Sequence, residues 1–289
     1  MRILLTGAGG NLARGIIPRL QAAGHSVVLS DLVPLPEEVP GAEFVQCDIQ
    51  AGFGLERAME GCDLLLHTPA WHGIHSRVKT EVDFWRLNVD GLFWALQAAE
   101  SAGVGRLVFL SSMSWHGHYE KYGFTKRVGE ELCEYHRRNH GLRNVIIRPH
   151  DFTPWGSEYL NRYGARLLYG GVDREDVLDC VDRSVEFLAG DAPSEPEGVV
   201  VNAVRPNAFS ESDVDGWESD PVTASERIFP GFRDLLEKYD IDIARRPSVV
   251  DDLGGQEIGY RPNRHFGTFL QQLRELDAAG TVAGMRCPY

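Results

Sequence analysis

Long apolar runs are missing from this chain. No stretch approaches the roughly 20 residues that span a bilayer, and the opening Met1-Arg2-Ile3-Leu4-Leu5 is too short for a signal-peptide core. No membrane segment is expected. Cysteine is scarce too: Cys47, Cys62, Cys133, Cys180 and Cys287 are odd in number, scattered, and contain no Cys-x-x-Cys pair. That argues against a disulfide framework or a cysteine zinc site, and a reducing cytoplasm is the expected compartment. Positive charge is in short supply, with 29 basic residues against 42 acidic ones and a net charge of −13. Such a chain has little attraction for nucleic acid or an anionic membrane, so neither is an expected partner.

What is present is a globular composition, 289 residues with 43% hydrophobic, enough to build one large α/β domain or two small ones. Arg2-Ile3-Leu4-Leu5-Thr6 reads as a buried strand. Gly7-Ala8-Gly9-Gly10-Asn11-Leu12-Ala13 follows, then a helical pattern through Ile16, Ile17 and Leu20 that ends at Gly24. A strand, a glycine turn and a helix suit a dinucleotide pyrophosphate. Glycines let the backbone come close to the phosphates, and the helix amino terminus offers N–H groups and a positive dipole end. The spacing here is Gly7-x-x-Gly10-x-x-Ala13, which departs from the generic Gly-x-Gly-x-x-Gly.

The next strand, His25 to Asp31, ends in a carboxylate 21 residues after Gly10. A carboxylate there can hold the adenosine ribose hydroxyls and repels a 2′-phosphate. Leu32 and Val33 follow it where an arginine would receive that phosphate, so NAD is expected over NADP. Further strand candidates are 43–49, 62–67, 142–148 and 197–203, separated by helical stretches around 55–59, 80–101 and 122–138. Such alternation predicts a Rossmann-type, doubly wound parallel sheet. Asn88 interrupts the helix expected from Thr80 to Ser101. Asp48, just past its strand, either approaches the adenine or forms a turn.

The chemically richest stretch runs from Leu107-Val108-Phe109-Leu110 into Ser111-Ser112-Met113, and ten residues past Ser112 begins Tyr122-Gly-Phe-Thr-Lys126. On a helix, Tyr122 and Lys126 at i and i+4 share a face. A free phenol titrates near about 10, and an adjacent ammonium favours the phenolate, bringing it toward a working range. Ser112 at a strand end can donate a hydrogen bond to the same substrate oxygen. The three make a proton-transfer site for an alcohol or ketone.

Trp71-His72-Gly73 and Trp115-His116-Gly117 echo each other after the fourth and fifth strands. Either these side chains stack on a ring-shaped polyol or the tryptophans cap the sheet. His72, His75, His116 and His118 complete no recognised ligand spacing, so no metal is expected.

Taken together, these motifs resemble the extended short-chain dehydrogenase/reductase family, which includes NAD-dependent sugar epimerases, dehydratases and sugar-acid dehydrogenases. The carriers are Thr6 to Ala13, Asp31, Cys47-Asp48-Ile49, Leu66-His67-Thr68-Pro69-Ala70, Asn88-Val89-Asp90-Gly91, Leu110-Ser111-Ser112, Tyr122 to Lys126 and Ile147-Arg148-Pro149. They cover roughly residues 1–150, in the family's order. The resemblance implies that Ser112 polarises the substrate oxygen, Tyr122 exchanges its proton, Lys126 holds the nicotinamide ribose and Asn88 helps order a water relay. It also implies cofactor contacts from Gly7, Gly9, Gly10, Asn11, Leu12, Asp31, Asp48, Ile49, His67, Thr68, Pro69 and Pro149. Trp71, His72, Met113, His116, His150 and Arg162 are the substrate-binding candidates; Arg166 offers the same charge as Arg162, and an exposed helix face accounts equally well for either.

Two departures from the family stand out. The loop between Ser112 and Tyr122 is short, so the pocket is expected to be open or roofed by another segment. His116-Gly117 stands where many relatives have Tyr-Gly. The expected organisation is an NAD-binding domain, 1–150 completed by about 172–205, with 151–171 and 206–289 forming a small substrate-binding lobe. The expected activity is hydride transfer at a carbinol or ketone carbon of a sugar or sugar acid, with a homodimer formed through the helices near 80–101 and 122–140. Alternatives are a nucleotide-sugar epimerase or dehydratase that keeps its NAD, and a non-catalytic NAD-sensing partner, against which the Ser112, Tyr122 and Lys126 set argues.

Overall fold

The structure, a computed structural model, describes residues 1–114, 120–152, 155–191 and 197–284. The strands are β1 (Arg2–Thr6), β2 (Ser26–Asp31), β3 (Glu43–Gln46), β4 (Leu64–His67), β5 (Arg106–Leu110), β6 (Arg143–Pro149) and β7 (Gly198–Ala203). They form one sheet in the order β3-β2-β1-β4-β5-β6-β7, and the pairings from β3 across to β6 are parallel. The chain winds outward from β1 to β3 and then returns to lay β4 on the other side of β1. This is the expected doubly wound α/β sheet, and its strand order reverses between β1 and β4.

Two compact units divide the chain. The first comprises Met1–Arg148, Val181–Val201 and Glu257–Gly259. Its helices are α1 (Asn11–Ala22), α2 (Leu55–Met59), α3 (Glu81–Trp85), α4 (Gly91–Ser101) and α5 (Lys121–His140). Alternation along the strands sends Leu4, Val28, Leu65 and Leu107 to one side, where they share a core with Leu92, Ala95, Leu96 and Ala99 of α4 and Cys133 of α5. Ile3 and Leu5 project the other way and are equally buried, and α1 buries Ala13, Ile16, Ile17 and Leu20.

Gly129 fixes how closely α5 approaches β5. A Cβ at that position would stand 2.7 Å from Cζ of Phe109, so only glycine lets the helix lie where it does. The helix expected from Thr80 to Ser101 forms as α3 and α4 joined by a π-helical turn, Arg86–Asp90, with buried Asn88 at its centre.

The second unit comprises Pro149–Cys180, Asn202–Gln256 and Tyr260–Tyr289. It contains α6 (Leu160–Leu168), the start of α7 (Arg174–Ala189), α8 (Pro221–Ile228), α9 (Arg233–Lys238) and α10 (Phe266–Ala278). Its core is aromatic: Tyr163, Phe209, Trp217, Phe229, Phe232, Phe266 and Phe269 pack with leucines from α6, α9 and α10. Residues 210–219 read as an acidic loop, yet two short 3-10 turns there, Ser212–Val214 and Trp217–Ser219, carry Trp217 into the centre. Trp217 is fully buried, and its indole N–H donates to the Ile243 carbonyl at 2.7 Å. No described helix is long and apolar enough to cross a membrane.

Candidate active site

The carboxyl ends of β1, β2, β4 and β5 gather most of the residues that the sequence singles out. After β1 the chain turns at Gly7 with φ +74, a conformation that favours glycine, and a Cβ there would meet the Thr68 hydroxyl at 2.9 Å and the Pro69 ring at 3.0 Å. The Gly10 N–H donates to the Gly7 carbonyl at 3.0 Å, closing the turn, and α1 then starts at Asn11 and Leu12 with no side-chain cap from Gly10. A helix start offers N–H groups and a positive dipole end to an anion.

Asp31, the last residue of β2, accepts from the Gly9 N–H at 2.9 Å and from the Leu32 N–H at 2.7 Å. Each carboxylate oxygen keeps a further lone-pair direction for a hydroxyl. Leu32 and Val33 beside it are 52% and 65% exposed, so no cation follows in the chain to receive a phosphate. His67 ends β4, buried, with Nδ1 3.0 Å from the Thr6 hydroxyl, while the Thr68 hydroxyl donates to the Thr6 carbonyl at 2.7 Å.

At the adjacent edge, Ser112 and Tyr122 are both buried, and the Ser114 N–H donates to the Ser112 hydroxyl at 3.1 Å. Lys126 lies one turn along α5, with Nζ donating to the Leu110 carbonyl at 2.6 Å. The Tyr122 hydroxyl is 3.4 Å from Nδ1 of His72. Asn88 pins the loop after β4: its amide donates to the Trp71 carbonyl at 3.1 Å and the Thr125 hydroxyl at 2.9 Å, and its oxygen accepts from the Trp71 N–H at 2.8 Å. Lys121 completes the clamp by donating to the Ser76 and Lys79 carbonyls at 2.8 and 2.6 Å. Segment 71–79 is thus held against the start of α5. A roof from another segment was one of two expectations for the short loop. Met113 is half-buried in the turn after Ser112.

Asp48 is a turn former, accepting from the Gln50 N–H at 3.0 Å and exchanging main-chain bonds with Phe53. The Ile49 side chain packs against Gly91, where an added Cβ would come within 2.9 Å of it, so it is a core residue. Pro149, buried at the end of β6, His150, half-buried with its N–H on the Ala203 carbonyl at 3.1 Å, and Arg162, exposed on α6, belong to the second unit. Trp115, His116, Gly117 and His118 lie outside the described residues.

Residues 3–155, more than half of the chain, match the model of the NAD dependent epimerase/dehydratase family. The chain belongs to that family. Uronate dehydrogenase from Pseudomonas putida is 27% identical over 203 residues, 64% of this chain and 71% of that protein. A mutant uronate dehydrogenase from Agrobacterium tumefaciens, crystallised with NAD, superposes with a TM-score of 0.65 at 22% identity, covering 95% of this chain and 89% of the other. UDP-glucose 4-epimerase from Thermotoga maritima, with UDP-glucose, reaches 0.66 at 17% identity, covering 95% and 99%. At these identities the two structures speak for the fold.

In this epimerase/dehydratase member the edge is electrostatically unusual. Burial drives the Lys126 ammonium down to about 7, partly opposed by the negative charge of Glu130. Burial, with the Lys126 charge added, holds His67 near 3. The His72 ring, crowded against Tyr122 although the residue as a whole is exposed, is lowered to about 4 by desolvation first and then by Lys126 and His75. Tyr122 is raised by burial, with the Ser112 hydrogen bond acting the other way. The Lys126 ammonium is turned onto the Leu110 carbonyl, and its own burial favours the neutral amine.

Several contributors escaped the sequence reading. Glu130, one turn beyond Lys126, accepts from the Ser111 hydroxyl and takes two donors from Arg148, at 2.9 and 2.6 Å. It ties the ends of β5 and β6 to α5, directly behind Ser112. Thr6 and Thr125 hold His67 and Asn88. The visible signal was the i+4 step from Lys126 to Glu130, which reads equally as a solvated helix face.

Proposed function

We propose that this protein is an NAD-dependent dehydrogenase of sugars or sugar acids, with uronates the first substrate class to try. The observation that carries this reading is buried Ser112 at the end of β5 together with buried Tyr122, one helical turn from Lys126, on the same sheet edge as the Gly7 turn and Asp31. The glycine cradle fits the cofactor: side chains at Gly7 and Gly10 would meet Thr68 and the Gly7 carbonyl at 2.9 and 3.1 Å, so the backbone there stays open to a pyrophosphate.

In this reading the backbone at Gly7, Gly9 and Gly10 lets the pyrophosphate come close, the start of α1 at Asn11 and Leu12 takes the phosphates, and Asp31 takes the adenosine ribose. Asp48, Ile49, His67, Thr68, Pro69 and Pro149 are the further cofactor contacts that the family resemblance implies. NAD, when bound, supplies the hydride acceptor. Ser112 donates to the substrate oxygen and fixes the carbinol, the Tyr122 phenolate takes the carbinol proton and becomes the phenol, and Lys126, one turn along α5, holds the nicotinamide ribose. Asn88 keeps the Trp71–His72 loop and Thr125 in register, so the roof over Tyr122 does not drift. Residues 1–150, completed by about 172–205, act as the cofactor domain, 151–171 and 206–289 as the substrate-binding lobe, and His150 and Arg162 are the candidates for an anionic group.

Similarity to uronate dehydrogenases over 64% of the chain supports sugar acids. Similarity to a UDP-glucose 4-epimerase of Lactobacillus helveticus, 26% over 51% of the chain, supports a second reading in which the same residues make a transient ketone without net redox change. The freshly purified protein, denatured and assayed for NAD(H), separates the two. Empty protein that reduces added NAD with a uronate supports the dehydrogenase; near-stoichiometric nucleotide moves the assignment to an epimerase or dehydratase.

The same protein is expected to be a homodimer. Val82, Trp85, Phe124 and Tyr135 are exposed along α3 and α5, an apolar face of the kind that pairs with a copy of itself. A monomeric mass in solution removes this part of the proposal.

A further inference from the structure

A second cluster of chemical groups stands at the opposite end of α5 from Tyr122, about 20 Å away at 1.5 Å per residue. His136 and His140 are one turn apart on that helix, with ring centroids separated by 4.8 Å. Glu100, at the carboxyl end of α4, reaches across so that Oε1 lies 2.8 Å from Nδ1 of His140. One ligand atom from each of the three residues lies within 4.8 Å of the others. His136 is buried, while His140 and Glu100 are exposed. An ion pair between Glu100 and His140 explains two members; it leaves unexplained why a second imidazole is seated beside them.

We propose that Glu100, His136 and His140 form a site for one divalent transition metal of the zinc class, which clamps the end of α4 to the end of α5. Two imidazoles at i and i+4 with a carboxylate from a second helix match the ligand preferences of zinc, at bond lengths of about 2.0–2.2 Å. They do not suit magnesium or calcium, which prefer oxygen ligands. The present spread of ligand atoms closes onto such an ion by turning Glu100 and His140, the two exposed members, while buried His136 serves as the fixed anchor. Three protein ligands leave a coordination position for water, and an adjoining groove of about 510 Å³, bordered by Gln97 and Tyr135, gives it room. The sequence hides this site because Glu100 is 36 residues from His136 and only the fold unites them.

The test uses the whole protein, stripped with a chelator and dialysed, titrated with zinc by calorimetry and with cobalt(II) by visible absorption. Expected are one zinc per chain, a tetrahedral cobalt(II) spectrum, no response to magnesium, and at least tenfold weaker binding in Glu100→Gln and His140→Asn. Both substituted residues are exposed, so the fold is retained, and a circular dichroism spectrum checks this. Absence of zinc binding, unchanged affinity in both variants, or loss of binding in His72→Asn instead overturns the proposal.

Discussion

The two units bury comparable side chains by different means. In the first, aliphatic residues alternate along strands, and Leu4, Val28, Leu65 and Leu107 fall into one layer because the pleat puts them there. In the second, Trp155, Tyr163, Phe209, Phe229, Phe266 and Phe269 meet mostly edge-on from short helices and irregular segments, with ring centroids between 5.0 and 6.5 Å, and Trp217 joins the same core. Strand ends in the first unit leave a row of polar groups fixed by a rigid sheet. Large rings in the second fill volume where regular structure is sparse. Reactive geometry is therefore expected to tolerate little displacement in the first unit, while the second is expected to be vulnerable mainly through its packing.

The strongest way to sharpen this contrast is Tyr122→Phe. It removes one hydroxyl and is expected to cut turnover roughly 100- to 10,000-fold with the urea midpoint close to wild type. A variant that keeps near-normal turnover removes Tyr122 from its role. The counterpart is Trp217→Ala, which empties a fully buried site and is expected to cost about 3–5 kcal/mol by chemical denaturation, while NAD affinity of the folded fraction stays within a few-fold. Loss of NAD affinity in that folded fraction would blur the division of labour. Gly129→Ala tests the sheet unit by overpacking. Its new methyl would sit 2.7 Å from Phe109, and about 1–3 kcal/mol of destabilisation is expected, together with a raised KM as the Tyr122 helix is pushed outward.

The smallest effect concerns acid. His67 is held near 3 in the folded protein against 6.5 when unfolded. Below pH 6.5 the unfolded chain gains a proton that the folded one refuses, so stability falls as the pH drops from 6.5 toward 3. Between pH 6.5 and 5 this group alone is expected to remove roughly 1–2 kcal/mol. His67→Gln keeps a partner for Thr6 but cannot titrate, so urea midpoints at the two pH values should move less in that variant than in wild type.

The sheet and the glycine turn were legible in the sequence because period-two apolar runs and glycine punctuation are local signals. Tyr122, Lys126 and Ser112 were legible through spacing along one helix and one strand end. What spacing could not carry was orientation: the Lys126 ammonium faces the Leu110 carbonyl, and Ile49 points into the core. Contacts across distant segments were hidden as well. Glu130 serves Ser111 and Arg148 together, and Asn88 does more than interrupt a helix, since it binds both faces of the Trp71 peptide. Trp217 sits in so acidic a stretch that composition argued for a loop, and only its burial shows it to be a keystone of the second core.

The π-helical turn at Arg86–Asp90 also constrains how this chain can vary. A π turn carries one residue more than an α-helical turn needs, so it behaves as an insertion written into the helix. Deleting one of those five residues would restore regular winding and leave the helix before and after the turn nearly in phase, because the wide turn already takes up the extra residue. Phe84 would keep its face, while Asn88 would lose the special place from which it reaches Trp71. A deletion elsewhere along this helix has no such turn to absorb it and would rotate one end by about 100° against the other. Tolerance of a change in length is therefore confined to one turn, and that turn holds the residue that organises the loop.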